Sequence, residues 1–257
     1  MSIYRTLIKV FNMDTAFSML KFCAGLAMKV PFLIPSARYR YKTRKDLSVE
    51  LFNMKFSNPL ALGPGLDREG THYNVFREYG FSFIETGPCN EGNIRKVISR
   101  VQDNPSKGIL GVCINKDYER TFSLAYDFFD LFDIELSEEM DTDILARILD
   151  IRLGYDVYKP VLLRIRYDLP QDILEQVIDF SRMNGIDGLI VAKAENVRRA
   201  ARLTSGRFPI IGYGGIRTPE AAEEMLEAGA SMIQITTGLV LDGPSLAKKI
   251  LKYLDNK

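Results

Sequence analysis

PIIGYGGIRTPEAAEEMLEAGASMIQITTGLVLDGPSL, residues 209–246, is the stretch whose reading decides the fold. It opens with an apolar run that stops at Gly212-Tyr213-Gly214-Gly215. Thr218-Pro219 then starts a helix and Gly229 ends it. Proline presets the helical φ at an N-terminus, and glycine tolerates the left-handed turn that closes a C-terminus. A second apolar run, Met232–Thr236, stops at Thr237-Gly238, where the final helix begins. Strand, glycine loop, helix and strand in that order belong to an alternating α/β protein.

Upstream the same alternation continues. Short runs rich in β-branched or large apolar residues occur at Pro59–Leu62, Phe81–Thr86, Ile109–Ile114, Leu131–Leu136, Val161–Ile165 and Gly188–Ala192, ahead of Pro209–Gly212 and Met232–Thr236. Buried parallel strands have this composition. Helix-length segments lie between them at 117–129, 139–154, 171–184, 195–204 and 219–228. Residues 91–107 are the weakest helix of the set: Gly92, Pro105, the following Gly108 and six charges leave a loop as the alternative. A hairpin-like lead-in covers Leu47–Phe56. Eight strands with seven crossovers predict an α/β fold of the (β/α)8 TIM-barrel class over residues 46–257, preceded by a helical extension and linker over 1–45. A doubly wound open sheet is the competing architecture, and it usually has fewer strands.

In a barrel, 212–218 and 236–239 become the loops after the seventh and eighth strands, where phosphate-bearing ligands usually sit. Gly214 and Gly215 let backbone amides approach phosphate oxygens with no Cβ in the way. Thr237 and Gly238 add donors at a helix start, which attracts anions, and Arg217 adds charge. Taken singly, each glycine is equally well explained as a tight turn. This geometry does not by itself choose FMN over a sugar phosphate.

Bulk properties narrow the field. The 257 residues are 46% hydrophobic and 26% charged, enough for a large core. A net charge of +1 gives no basic excess that would point to nucleic acid. Three widely spaced cysteines, with no CxxC pair, fit a reducing compartment and a cytoplasmic location. With one histidine, His72, no structural metal site is expected. His72 itself reads as a helix-start residue, with a catalytic role as the alternative, and Cys113 reads as core. The segment AFSMLKFCAGLAMKVPFLI, residues 16–34, is interrupted by Lys21 and Lys29. A spanning helix needs about 20 mainly apolar residues, and no convincing cleavage site follows. Residues 1–35 therefore read as one or two amphipathic helices. They either lie on the inner face of a membrane as a peripheral contact or pack against the barrel bottom.

The string NPLALGPGLDREG at 58–70, IETG at 84–87 and the 209–246 stretch together resemble the dihydroorotate dehydrogenase family, in its membrane-associated, quinone-using class. The resemblance covers most of the chain, including the N-terminal extension. It implies an FMN-binding barrel that oxidises dihydroorotate or a related small molecule and passes electrons to a quinone near the N-terminal helices. It places Ala61, Gly63, Thr86, Gly214, Gly215, Thr237 and Gly238 against the cofactor, with Gly65 and Gly87 beside them, and Gln234 keeps the family pattern. Arg68 and Arg164 stand where the family has lysines, which implies catalytic and cofactor-binding roles for both. Charge is kept in that exchange, but a planar fork replaces a point charge.

The substrate side departs from the family. Its Asn-x-Ser-Ser-Pro-Asn-type loop after the fourth strand, which carries the catalytic serine, corresponds here to Glu135-Leu136-Ser137-Glu138-Glu139-Met140. Glu138 falls on the serine and becomes the candidate base, if burial raises its pKa. Acidic residues in a helix's first turn are the plainer reading. Glu135 falls on a substrate asparagine and, pointing into the barrel mouth, needs a partner, with Arg164 or Lys193 the natural choice. Lys193-Ala194-Glu195 replaces an Asn-Thr-Thr, so Lys193 is assigned to both cofactor and substrate. Asn104 is the remaining substrate asparagine. The alternative reading is a divergent FMN- or phosphate-binding barrel with another substrate or no activity.

Overall fold

A computed structural model describes residues 42–136, 141–165 and 169–257, together with Thr15 and Ser18. Apart from Thr15 and Ser18, the expected N-terminal helices over 1–35 lie outside the described residues, as does the candidate base Glu138.

The chain enters through an antiparallel hairpin, β1 (Val49–Leu51) and β2 (Met54–Phe56). Its turn residues Phe52 and Asn53 have φ of 55° and 57°, the left-handed pair that matches the twist of a two-residue hairpin. Eight strands follow: β3 (Leu60–Leu62), β4 (Phe83–Cys89), β5 (Leu110–Ile114), β6 (Leu131–Glu135), β7 (Val161–Ile165), β8 (Gly188–Ala192), β9 (Ile210–Tyr213) and β10 (Met232–Ile235). Each pairs in parallel with its neighbours, and β10 pairs with β3, so the sheet closes into a barrel. Between them run α1 (Tyr73–Arg77), α2 (Glu91–Asp103), α3 (Tyr118–Ala125), α4 (Thr142–Leu153), α5 (Gln171–Asn184), α6 (Ala194–Leu203) and α7 (Pro219–Glu227). The segment after β10 splits into α8 (Thr237–Asp242) and α9 (Ser245–Asp255) at Gly243-Pro244.

Of the two readings of the second crossover, the helix is the one that forms: it runs for thirteen residues, 91–103. Asn90 caps it, with its Oδ1 accepting from Gly92 N at 2.9 Å, while Asn93 Oδ1 accepts from Asn90 N at 2.9 Å. This reciprocal cap satisfies orphan amides. Ile94, Val97, Ile98 and Val101 recur at helical spacing and are buried against the barrel. Gly92 sits in the first turn and Pro105 beyond the end, so neither breaks the ladder.

Strand alternation fills two compartments. Outward residues such as Leu60, Ile84, Phe132, Leu163, Leu189 and Ile233 pack under the helices. Inward residues Ala61, Phe83, Leu131, Leu162, Ile190, Ile211 and Met232 fill the lower barrel with Phe56 from the hairpin. Fully burying a side chain of this size contributes about 1.5–3 kcal/mol. Val49, Leu51, Phe52 and Met54 close the lower end. Two residues further along six of these strands, at the same inward phase, stand Gly63, Glu85, Asp133, Arg164, Tyr213 and Gln234, while β8 keeps the apolar Ala192.

Candidate functional site

The upper end of the barrel opens into a cavity of about 530 Å³, a size typical of small-molecule sites. Its walls come from the loops after β3 (Gly63, Pro64, Gly65), β9 (Gly214–Arg217) and β10 (Thr236–Gly238), with Pro88 and Glu135 on the remaining side. Arg164, Tyr213 and Gln234 form its floor.

The glycines of the two phosphate-type loops serve different purposes. Gly214 and Gly215 have φ of +79° and +77°, a region that costs other L-residues about 1–2 kcal/mol. A Cβ on Gly215 would meet nothing within 4 Å, so this turn leaves open space beside exposed backbone. Gly238 instead allows close packing, since a Cβ there would stand 2.2 Å from the Ile216 carbonyl oxygen. Helix α8 is six residues long. What it offers an anion is its unpaired first amides rather than a developed dipole. Arg217 lines the cavity, and its Nε donates to Asp242 Oδ2 at 2.9 Å.

The floor is a buried ion cluster. Arg164 Nε donates to Asp133 Oδ2 at 2.8 Å, and its Nη2 donates to Glu85 Oε2 and Gln234 Oε1, each at 3.1 Å. Its guanidinium lies 4.7 Å from the Tyr213 ring centre. Glu85 and Asp133 have no solvent exposure. Burial, reinforced by the neighbouring Asp133 carboxylate, pushes the Glu85 pKa well above the ordinary value, against the pull of Arg164. Burial alone would lower the Arg164 pKa, but Asp133 and Glu85 hold it well above the usual arginine value, so the guanidinium stays charged. Among the described residues, Glu85 Oε1, Asp133 Oδ1 and Gln234 Nε2 are buried with no hydrogen-bond partner, which in a native site marks bound water or ligand.

Of the residues singled out from the sequence, the structure brings Gly63, Glu135, Arg164, Gly214, Gly215, Thr237 and Gly238 to one cavity. Ala61 is corrected: it is wholly buried in the lower apolar layer, one inward step below Gly63. Thr86 is wholly buried, with Oγ1 donating to Gly111 O at 3.4 Å, and does not line the cavity. Arg68 is exposed at the rim, its Nε donating to Gly65 O at 3.2 Å. Lys193 is also exposed at the rim, where its backbone N donates to Tyr213 O at 2.8 Å. Asn104 is corrected too. It caps the C-terminus of α2, so it lies at the lower end of the barrel, and its Oδ1 accepts from Asn74 Nδ2 at 3.2 Å. Arg164 forms its buried ion pairs with Glu85 and Asp133, and Glu135 is its register neighbour across β6 and β7.

His72 precedes α1, with its Nδ1 2.6 Å from Thr71 Oγ1 and its backbone N donating to Asp67 Oδ2 at 2.9 Å. It holds a loop and does not line the cavity. Burial raises the Cys89 thiol to about 12 and pushes Cys113 up as well, which makes both poor nucleophiles. Sequence reasoning passed over Glu85, Asp133 and Tyr213. The signal was available: each is polar and sits two positions after an inward apolar residue on its strand.

A parallel eight-stranded barrel with a small-molecule cavity at its C-terminal end and two glycine loops on one rim defines a ligand-binding enzyme-type barrel. The family model described as Dihydroorotate dehydrogenase matches residues 138–257. Dihydroorotate dehydrogenase (quinone) of Christiangramia forsetii is 28% identical, with 90% of this chain and 89% of that protein covered. The enzyme of the same description from Aeromonas salmonicida is 25% identical over 80% of this chain and 86% of its own length. The crystal structure of ligand-free dihydroorotate dehydrogenase from Eimeria tenella superposes with a TM-score of 0.77 at 19% identity, covering 95% of this chain and 94% of that one. That likeness concerns the fold. The chain is thus similar, as a divergent relative, to the quinone-type dihydroorotate dehydrogenases over most of its length, and it shares their barrel fold.

Proposed function

We propose that the protein is an FMN-dependent oxidoreductase that oxidises dihydroorotate or a related small molecule and passes the electrons to a quinone. The observation that carries this reading is the cavity itself. Two positive-φ glycines leave open space at one end, and an unpaired Gln234 amide lies beneath the other. These residues fit FMN. Gly214, Gly215 and Thr237 would hold the phosphate. Gly63, Gly65 and Pro88 offer a low wall to a planar ring, and Gln234 offers a donor to a ring carbonyl.

Bound FMN supplies a two-electron acceptor, chemistry the protein side chains lack. The chain's own part is to bind, orient and take up the proton lost with the hydride. Glu138, outside the described residues, is the proposed base, because the resemblance puts it where the family has its catalytic serine. Contact of residues 1–35 with a membrane face, where a quinone is dissolved, belongs to the same proposal. Among the described residues no helix is long and apolar enough to cross a membrane.

The test is the visible spectrum of the purified protein after FMN is added and excess removed, followed by dihydroorotate without oxygen. Retained flavin that bleaches supports the whole reading. Retained flavin that stays oxidised supports the cofactor and points to another substrate. No retained flavin on folded protein removes the cofactor assignment. Gly215→Ala is expected to weaken retention, through backbone strain of about 1–2 kcal/mol and a methyl in the phosphate space.

A further inference from the structure

Arg164 lines the cavity floor with its charge already answered by a buried acid on the neighbouring strand. Its Nε donates to Asp133 Oδ2 at 2.8 Å, and its Nη2 donates to the same oxygen at 2.5 Å. Nη2 also donates to Glu85 and Gln234, and the Tyr213 ring stands against the guanidinium. Among the described residues Nη1 makes no hydrogen bond, so one N–H edge is left for whatever fills the cavity. The Arg164 side chain is 5% exposed and that of Asp133 not at all. A cation beside a redox group favours its electron-rich reduced form, and a carboxylate nearby opposes that. Out of water the opposition is screened little, so Asp133 cancels much of what Arg164 would exert alone.

We infer that Asp133 is a positioning residue for the flavin: it clamps Arg164 in the cavity floor and offsets its charge, so that bound flavin is reduced less readily than an unpaired arginine would allow. Arg164 then serves the ring as a fixed hydrogen-bond donor through Nη1 and not as a net positive charge. A flavin held this way hands electrons on easily and demands a strongly reducing substrate. The inference rests on the flavin reading and adds to it the residue that sets the reduction potential.

The experiment uses the full chain loaded with FMN and brought to redox equilibrium with a reference dye. Absorbance then gives the reduced-to-oxidised ratio of the bound flavin at a set potential. Glu85→Gln is carried in every protein compared, so that this second acid cannot ionise in compensation when Asp133 is changed. Adding Asp133→Asn is expected to raise the ratio at least about tenfold, about 30 mV for a two-electron couple. Adding Asp133→Asn and Arg164→Gln together removes both charges of the pair and leaves neither one stranded. That protein is expected to stay within about threefold of its Glu85→Gln parent. An unchanged or lowered ratio in the first variant, with flavin retained, overturns the inference. So does a fall of about tenfold in the second, because it would mean that the charge of Arg164 reaches the flavin uncancelled. Should the first variant fail to fold or to hold FMN, the second decides alone. Neither result touches the cofactor assignment. Loss of flavin from the unsubstituted protein is a separate result that removes both.

Discussion

The lower and upper halves of the barrel interior are built on the same strands, two residues apart, and are held together by opposite means. Below, Ala61, Phe83, Leu131, Leu162, Ile190, Ile211 and Met232 exclude water and make no directional demand. Above, Glu85, Asp133, Arg164 and Gln234 are equally buried, but every contact has a required partner and angle. An apolar layer tolerates rearrangement if volume is conserved. A buried ionic layer does not, because losing one member leaves another charge unmatched in a poor solvent. The lower layer stabilises the barrel and the upper one defines what the barrel is for.

Arg164→Leu breaks the contrast most severely. It turns the upper layer apolar at one point and strands Asp133 and Glu85 together. The expected loss is about 3–5 kcal/mol of unfolding free energy, measured by denaturant melts, and it grows with pH because the two acids can share relief only by binding protons. Ile190→Ala tests the lower layer. Its expected loss is about 2–5 kcal/mol, with no dependence on pH and no effect on ligand retention. If its cost varies with pH as the Arg164→Leu cost does, the two halves are not independent.

Glu85→Gln is the mildest change and sharpens the comparison. The unfolded chain ionises Glu85 near the ordinary 4.5, whereas the folded chain holds the proton to well above that value. Between those two points the folded state binds more protons, so the stability of the unsubstituted protein falls as pH rises. The slope is at most about 1.4 kcal/mol per pH unit. The substituted protein lacks that slope, so the two melting-temperature curves should coincide below about pH 4 and separate above it, with the unsubstituted protein lower. Parallel curves across that range would mean that Arg164 keeps Glu85 ionised.

The barrel was legible from sequence because its strands are short, apolar and separated by helices with ordinary stop signals. Val161–Ile165, Gly188–Ala192 and the helix 171–184 fall where periodicity places them. Helix α2 was less so, because its cap is an asparagine pair rather than the commoner serine and glutamate, and Gly92 reads as a breaker until its first-turn position is known. The phosphate-type rim was legible from Gly214, Gly215 and Thr237, since a βαβ frame fixes where such loops go. The ion cluster was not. Arg164 could be seen to need an acid, and Glu135 lies beside it in register, but Glu85 and Asp133 reach it through the barrel interior, across 79 and 31 residues of sequence. Asn104 was misplaced because matching one asparagine in a shortened connection carries no information about which end of a helix it caps.

Close contact at Gly238 has a thermodynamic consequence. With no side chain there, the backbone after β10 lies against the Ile216 carbonyl of the loop after β9. The two loops therefore move as one body, and a ligand gripped between them has little conformational freedom left to freeze out. Affinity gained in this way comes from rigidity present before the ligand arrives, not from additional contacts. It should show as a smaller entropic penalty for binding in calorimetry than two independent loops would incur.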